Sequence, residues 1–143
     1  MSMRLLLFGA VVAALATAPA FTQSRTERRA AEIAAFEPTG APSTDCLQIT
    51  RIRESRVLSD QIIDFHMDNG EVFRNELPNR CPQLGFEEAF SYSTSINQLC
   101  SVDIITVVIR GGGPMRGAGC GLGRFTPVKR VEQAEEGRAA PGR

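Results

Sequence analysis

Residues 61–77, with the sequence QIIDFHMDNGEVFRNEL, decide the fold class. Apolar and polar side chains alternate over residues 61–67, which places one apolar row on a single face of a strand: Ile63, Phe65 and Met67. Residues 71–77 follow as a return strand, and Pro78 ends it because proline donates no ladder hydrogen bond. Between the two runs, Asn69-Gly70 is typical of a two-residue type I′ turn, in which both residues have φ > 0. The stretch predicts an antiparallel β-hairpin.

The surrounding sequence also has the pattern of short strands. Residues 47–52 alternate, residues 102–109 are nearly continuous in apolar side chains and predict the central strand, and residues 124–131 predict a last strand. Pro127 indicates that this last strand lies at a sheet edge. Residues 111–123 contain seven glycines and are interpreted as a connection. We therefore expect a mostly β fold, a small antiparallel barrel or sandwich of five to six strands stapled by disulfides.

Residues 1–20 have the pattern of a secretory signal peptide. Arg4 supplies the positive charge, residues 5–16 form an apolar segment, and Ala18-Pro19-Ala20 predicts cleavage after Ala20. The apolar run is shorter than the roughly 20 residues that a membrane span needs. We therefore expect an exported protein of the periplasm or extracellular space, with no stable membrane insertion after cleavage.

The remaining chain divides into three parts by composition. Residues 21–44 are rich in small, charged and turn-forming residues and are expected to be a linker, with a nascent helix over residues 26–35. Thr26 is the expected N-cap, and because Arg29 follows three residues later we expect no capping box. Residues 45–131 form the β domain, and residues 132–143 are expected to be a disordered tail.

All four cysteines of the 143-residue chain lie in the β domain, which is small for a stable core. An even cysteine count in a small exported domain predicts two disulfides, and four cysteines allow three pairings. We favour Cys81–Cys100, which closes a local loop, and Cys46–Cys120, which ties the start of the domain to its end. No two cysteines have the close spacing of a zinc site, so no metal is expected.

The charge balance argues against a nucleic-acid binder that works by its overall field, although it leaves room for a local basic patch. Lys+Arg and Asp+Glu are 16 each, so the net charge is zero and no nucleic-acid partner is expected. A single histidine excludes metal centres built from several histidines of one chain. No cofactor motif occurs, and we expect none to be bound.

Five segments carry a resemblance to a known family: residues 46–53, 73–78, 80–86, 97–100 and 120–125, with the sequences CLQITRIR, FRNELP, RCPQLGF, NQLC and CGLGRF. From Cys46 to Val128 the chain resembles a family of uncharacterised exported alphaproteobacterial proteins, of sphingomonads in particular, with four cysteines. The resemblance implies export and paired cysteines. It implies no activity and no catalytic residue.

Asp64 and His66 are the first candidates for chemistry, because they lie two apart on one strand face. A carboxylate beside an imidazole is the beginning of a general-base pair. A small hydrolase-like enzyme would also need a hydroxyl nucleophile near His66, for which Ser91, Ser93 and Thr94 are the candidates. The alternative is that both residues belong to the polar outer face of the hairpin.

Two further groups of residues are candidates for ligand binding. Gly112 and Gly113 provide backbone amides that form an anion-binding nest, to which Arg116 adds a guanidinium; the alternative is a mobile connection. Four acidic residues surround the hairpin: Asp60, Asp64, Asp68 and Glu71. They lack the spacing of a calcium loop, and Arg56 and Arg74 are near enough in sequence to pair with them, so we expect no metal.

The sequence therefore favours a non-enzymatic binding or accessory module of the periplasm or cell envelope. Its partner is unknown and is expected to be an envelope protein or a small ligand. The hydrolase-like enzyme and a purely structural envelope protein remain as alternatives.

Overall fold

The computed structural model describes residues 24–113 and 115–131. The expected signal peptide and tail lie outside these residues. In chain order the elements are α1 (Arg25–Ala34), β1 (Phe36–Pro38), β2 (Cys46–Gln48), a 3₁₀ turn (Ile49–Arg51), β3 (Ile52–Val57), β4 (Ile62–Met67), β5 (Val72–Glu76), α2 (Leu84–Glu87), β6 (Phe90–Tyr92), β7 (Gln98–Cys100), β8 (Ile104–Ile109), β9 (Met115–Gly121) and β10 (Phe125–Arg130). In the described part of the chain, neither helix has the length and apolar character of a membrane span.

The predicted hairpin is present as β4 and β5, which pair antiparallel with Phe65 opposite Phe73. Its turn differs from the expected one. Gly70 has a φ of 87°, but Asn69 does not have positive φ. The Gly70 N–H donates to the Met67 carbonyl at 3.2 Å, and the Met67 N–H donates to the Glu71 carbonyl at 2.9 Å. The loop therefore has three residues, Asp68 to Gly70, and only its glycine needs the left-handed conformation.

The hairpin lies inside a five-stranded antiparallel sheet with the order β1-β10-β5-β4-β3. The last strand is therefore an inner strand, and the edge position expected from Pro127 is wrong. The Pro127 carbonyl accepts from Thr39 N–H at 3.0 Å, so the side of Pro127 that lacks an N–H faces the end of the short β1. Only one ladder bond is lost there, which an inner strand tolerates.

Two smaller antiparallel sheets lie beside the main sheet, β2-β7 and β6-β8-β9. The apolar run predicted as a strand over residues 102–109 forms β8 from Ile104 onward, and β8 is the central strand of the three-stranded sheet rather than of the main sheet. The glycine-rich stretch, interpreted from the sequence as a connection, instead contains β9. Across residues 24–113 and 115–131 the three sheets form a mostly β fold without a closed barrel.

The core joins one face of the main sheet to the two smaller sheets. Its fully buried side chains come from all three sheets and from α2, and the largest are Phe65, Phe125, Ile63, Leu84, Leu99 and Ile105. Asn75 is also fully buried, and its side chain donates to the Gly123 carbonyl at 2.7 Å and accepts from the Gly123 N–H at 2.8 Å. A Cβ on Gly123 would lie 2.1 Å from the Glu76 carbonyl oxygen, so this contact requires glycine.

Two disulfides are present, and the expected pairing is wrong. The bonds are Cys46–Cys100 and Cys81–Cys120. Cys46 lies directly opposite Cys100 because β2 pairs with β7. Cys81, just before α2, is thereby left for Cys120 on β9. Strand pairing determines the partners, whereas the sequence prediction relied on loop length.

The expected linker also differs from the structure, because α1 and β1 both lie within residues 21–44 and β1 pairs with β10. The N-cap of α1 is Ser24 rather than Thr26. The Ser24 hydroxyl accepts from the Glu27 N–H at 3.2 Å, and the Glu27 carboxylate accepts from the Ser24 N–H at 2.7 Å. This is a capping box, which the sequence interpretation had excluded by starting the helix two residues too late.

Candidate functional site

The face of the main sheet that points away from the core carries charged residues, and α1 covers part of it. The β3-β4-β5-β10 register places Arg56, Asp64, Arg74 and Thr126 in one row. Arg74 forms two hydrogen bonds of 2.8 Å to the two Asp64 carboxylate oxygens. Its third nitrogen donates to the Ile33 carbonyl near the end of α1 at 3.1 Å. Asp64 and Arg74 thus form a buried ion pair that fastens the helix to the sheet.

The Asp64–Arg74 ion pair determines whether Asp64 can act together with His66. The two residues lie on the same face, as predicted, but both Asp64 oxygens are occupied by Arg74. His66 lies opposite Glu54 and Val72 and contacts the Phe36 ring edge-on, with ring centroids 6.3 Å apart. The candidate hydroxyls at 91, 93 and 94 lie on or after β6, in a different sheet. The described residues therefore show no assembled general-base pair and nucleophile.

His66 lines a cleft of about 660 Å³ together with Phe36 and residues of β5 and β10. The Arg130 guanidinium lies over the Phe36 ring, 5.0 Å from its centroid, and Lys129 pairs with Glu37 at 3.4 Å. The charged groups at this cleft therefore already contact partners within the fold.

Gly112 and Gly113 lie at the tip of the β8–β9 hairpin and both have positive φ. Arg116 lies on β9 opposite Val108 and lines a separate cleft of about 600 Å³ with Tyr92 and Ile104. Arg116 is exposed on the strand, beyond the tip that holds the two glycines. The loop and Arg116 remain a prediction for anion binding.

The acidic residues around the hairpin each form hydrogen bonds to other residues of the fold and do not form a cluster. Asp60 accepts from Arg80 at 2.9 Å and from the Gly85 N–H at 2.8 Å, and Asp68 accepts from Arg51 at 3.1 Å. Within residues 24–113 and 115–131 no three metal-ligating side chains come together.

A different cleft, of about 550 Å³, lies between α1 and β3 and carries four arginines, which we call the arginine cleft: Arg25, Arg28, Arg29 and Arg56. The first turns of α1 supply three of them, because positions 25, 28 and 29 share one helix face. β3 supplies Arg56 and, beside it, Ser55 and Val57, and Leu58 follows the strand directly. The only carboxylates among the lining residues are Glu32 and Glu88.

Two of the four arginines form ion pairs with carboxylates of the same fold. Arg56 bonds to Glu54 at 3.0 and 3.2 Å and to Glu32 at 3.0 Å, and these bonds raise its pKa. Arg29 pairs with Glu88, the left-handed residue that ends α2. The Arg29 side chain is only 19% exposed, and burial together with the nearby positive charge of Arg25 lowers its pKa. With four guanidiniums and only the carboxylates of Glu32 and Glu88, the lining of the cleft has a net positive charge.

Arg25 and Arg28 are exposed, and within the described part of the chain neither forms an ion pair. Their position does not stabilise the helix, because positive side chains are unfavourable in the first turns of a helix. The cleft thus presents two guanidinium groups that the fold does not use. An anion bridging them would gain charge-assisted hydrogen bonds.

Sequence reasoning missed the arginine cleft. The signal was present in SRTERR at 24–29, where the Ser24–Glu27 capping pattern fixes the helix start and hence its faces. The contribution of β3 could not be foreseen, because it depends on α1 packing over the sheet.

Comparison of the chain with protein-family models, with curated proteins and with solved structures gives no match. The functional assignment therefore depends on the geometry of the sites.

Proposed function

We propose that this protein is exported to the periplasm or cell envelope and acts there as a non-enzymatic binding module. The arginine cleft is its binding site, and the ligand is an anion held by Arg25 and Arg28. The observation that carries the proposal is that these two guanidiniums share a cleft in which the other arginines are already paired.

Several features support export and a binding role. Two disulfides persist in oxidising compartments, and the apolar segment at 5–16 has the character of a signal peptide. The cleft is built on a helix and a strand, which hold side chains more rigidly than loops. The occupation of Asp64 by Arg74 counts against the hydrolase-like alternative.

The binding test uses the full chain expressed in a bacterium and purified from its periplasmic fraction. Inorganic phosphate is titrated by isothermal calorimetry and by amide chemical-shift changes. We expect saturable binding with shifts at α1 and β3, and loss of at least tenfold in affinity in the Arg25→Gln/Arg28→Gln variant. That loss is the scale of one or two charge-assisted hydrogen bonds.

Two matched variants locate the site. Arg53→Gln removes an exposed charge from β3 outside the cleft and should leave the affinity unchanged. Arg116→Gln tests the glycine-rich loop in the same way. Binding that responds to Arg116 alone would move the site to that loop, and the absence of any anion binding would favour the purely structural alternative.

Export has its own test. N-terminal sequencing of the protein from the periplasmic fraction should start at Phe21. A chain that retains Met1 in the membrane fraction would contradict export of a cleaved protein.

A further inference from the structure

The arginine cleft continues into a second groove, of about 570 Å³, on the other side of Arg29. The two share Arg25, Arg29 and Leu58 as lining residues. The second groove is lined largely by apolar groups: Ala30, Ile33, Leu58 and Phe86. A ligand that enters the arginine cleft therefore has an apolar surface directly beside it.

Phe86 is the distinctive residue of this second groove. Its side chain is 74% exposed although it lies one residue from the buried Gly85 and two from the buried Leu84. α2 thus anchors itself through Leu84 and directs Phe86 outward. Two residues further on, Glu88 lines the arginine cleft and pairs with Arg29. The same short helix therefore connects the charged and the apolar parts.

The second groove also carries one carboxylate and one further guanidinium, which pair with each other: Asp60 and Arg80. Asp60, its carboxylate, is held by Arg80 and by the Gly85 N–H. Arg25, which forms no ion pair with another described residue, lies at the junction of the two grooves. The combined surface has guanidiniums at one end and an exposed aromatic ring at the other.

From this arrangement we infer that the ligand is an amphiphile with a phosphate group at one end, a glycerophospholipid monomer, whose phosphate binds Arg25 and Arg28 and whose acyl part lies over Phe86. This inference rests on the proposed function, since it names the ligand class of the same cleft. The phosphate is inferred because its charge is complementary to the two guanidiniums. The acyl part is inferred because contact with hydrocarbon would remove the exposed Phe86 ring from water.

The test compares three probes at concentrations below their micelle formation: glycerol 3-phosphate, dihexanoyl phosphatidate and dihexanoyl phosphatidylcholine. The first has the phosphate without a tail, and the third has the tail with no net charge. We expect dihexanoyl phosphatidate to bind roughly tenfold more tightly than glycerol 3-phosphate, which corresponds to about 50 Å² of apolar contact. Dihexanoyl phosphatidylcholine should bind at least tenfold more weakly than dihexanoyl phosphatidate.

Phe86→Ser distinguishes the contribution of the acyl part to the affinity from that of the phosphate. It should reduce the affinity for dihexanoyl phosphatidate to that for glycerol 3-phosphate and leave glycerol 3-phosphate binding unchanged. Ile96→Ser is the matched control, because it removes another exposed apolar side chain outside both grooves. Arg25→Gln/Arg28→Gln should weaken both phosphate ligands.

The outcomes distinguish this inference from the proposed function. Equal affinity for glycerol 3-phosphate and dihexanoyl phosphatidate, or no effect of Phe86→Ser, would overturn the amphiphile and leave the anion site standing. Equal binding of phosphatidate and phosphatidylcholine would also overturn it, because the tail alone would then be recognised. If neither phosphate ligand binds, both proposals fail.

Discussion

Asp64 and His66 show how two neighbouring polar residues on one strand face acquire different roles. The strand places Asp64 under α1, where Arg74 occupies both of its oxygens, and it places His66 one row further along, against Phe36. The side chains are 2% exposed for Asp64 and 9% for Arg74, so each charge depends on the other. The hydrogen bonds that Arg74 donates to Asp64 also raise the Arg74 pKa.

Removing one partner of this pair should be strongly destabilising. Asp64→Asn leaves the Arg74 charge buried without a counter-ion, and we expect the free energy of unfolding to fall by roughly 3–5 kcal/mol. Denaturant titration followed by circular dichroism measures the change. Asp68→Asn is the matched control, because the Arg51–Asp68 pair is about half exposed, and it should cost no more than about 1 kcal/mol. A loss in Asp64→Asn as small as that of the control would contradict the structural role of the pair.

For single residues, the sequence predicts correctly which face of a strand a side chain occupies, but it does not predict which residue on the neighbouring strand lies opposite. Alternation at 61–67 correctly places Asp64 and His66 on one side and Phe65 on the other. It cannot say that Arg74 is directly opposite Asp64, because that register depends on the length of the turn. The expected two-residue turn and the observed three-residue turn differ by one residue, enough to change which side chains face each other.

At the scale of single elements, the sequence interpretation placed the start of α1 too late, and it predicted one strand over residues 47–52 where a 3₁₀ turn separates β2 from β3. Ser24 and Glu27 satisfy each other's backbone N–H groups. The hydrogen bond that the Ser24 N–H donates to the Glu27 carboxylate is the main cause that lowers the pKa of Glu27. The stability that ionised Glu27 gives to the helix is therefore present above its ordinary pKa of 4.5 and is lost as the pH falls through the lowered folded value.

We expect α1 to fray under acid conditions before the sheets are affected. Cα chemical shifts of residues 25–30 should move toward random-coil values as the pH falls below 4.5, and Glu27→Gln should remove most of this pH dependence. Ser24→Ala should weaken the helix by about 1 kcal/mol at neutral pH. Identical acid titrations of wild type and Glu27→Gln would show that the capping box does not hold the helix start.

The glycine-rich strand β9 could not be predicted from propensity, since glycine weakens strands. Its position requires small residues instead. A Cβ on Gly117 would lie 3.1 Å from the Val107 side chain and carbonyl, so close approach to β8 favours glycine there. Local preference for a loop is thus overridden by contact with the neighbouring strand.

At the scale of the whole molecule, two covalent bonds connect regions that are distant in sequence. Cys46–Cys100 spans 54 residues and Cys81–Cys120 spans 39. In the chain-entropy model each disulfide stabilises the fold by about 4 kcal/mol, so loop length does not rank the two bonds. The fold class was correctly predicted from strand patterns and cysteine count, whereas the pairing required knowledge of which strands are neighbours.

Peptide mapping without reduction checks the pairing. Trypsin alone leaves Cys81 and Cys100 in one peptide, so a glutamate-specific protease is added to cut after Glu87. We expect cross-links between residues 33–51 and 89–110, and between residues 81–87 and 117–124. A cross-link between 81–87 and 89–110 would restore the pairing expected from loop length.

The position of β10 in the main sheet affects the order in which this protein can fold. Residues 125–130 are the last described strand in the sequence, yet they join β1 to β5 near the middle of the sheet. The ribosome synthesises the chain from its N-terminus. β1 therefore has no pairing strand, and one edge of β5 has unpaired backbone groups, until Arg130 has emerged. The sheet can be completed only after synthesis of the domain has ended. Both neighbours of β10 therefore depend for their pairing on the segment that is synthesised last among the described strands.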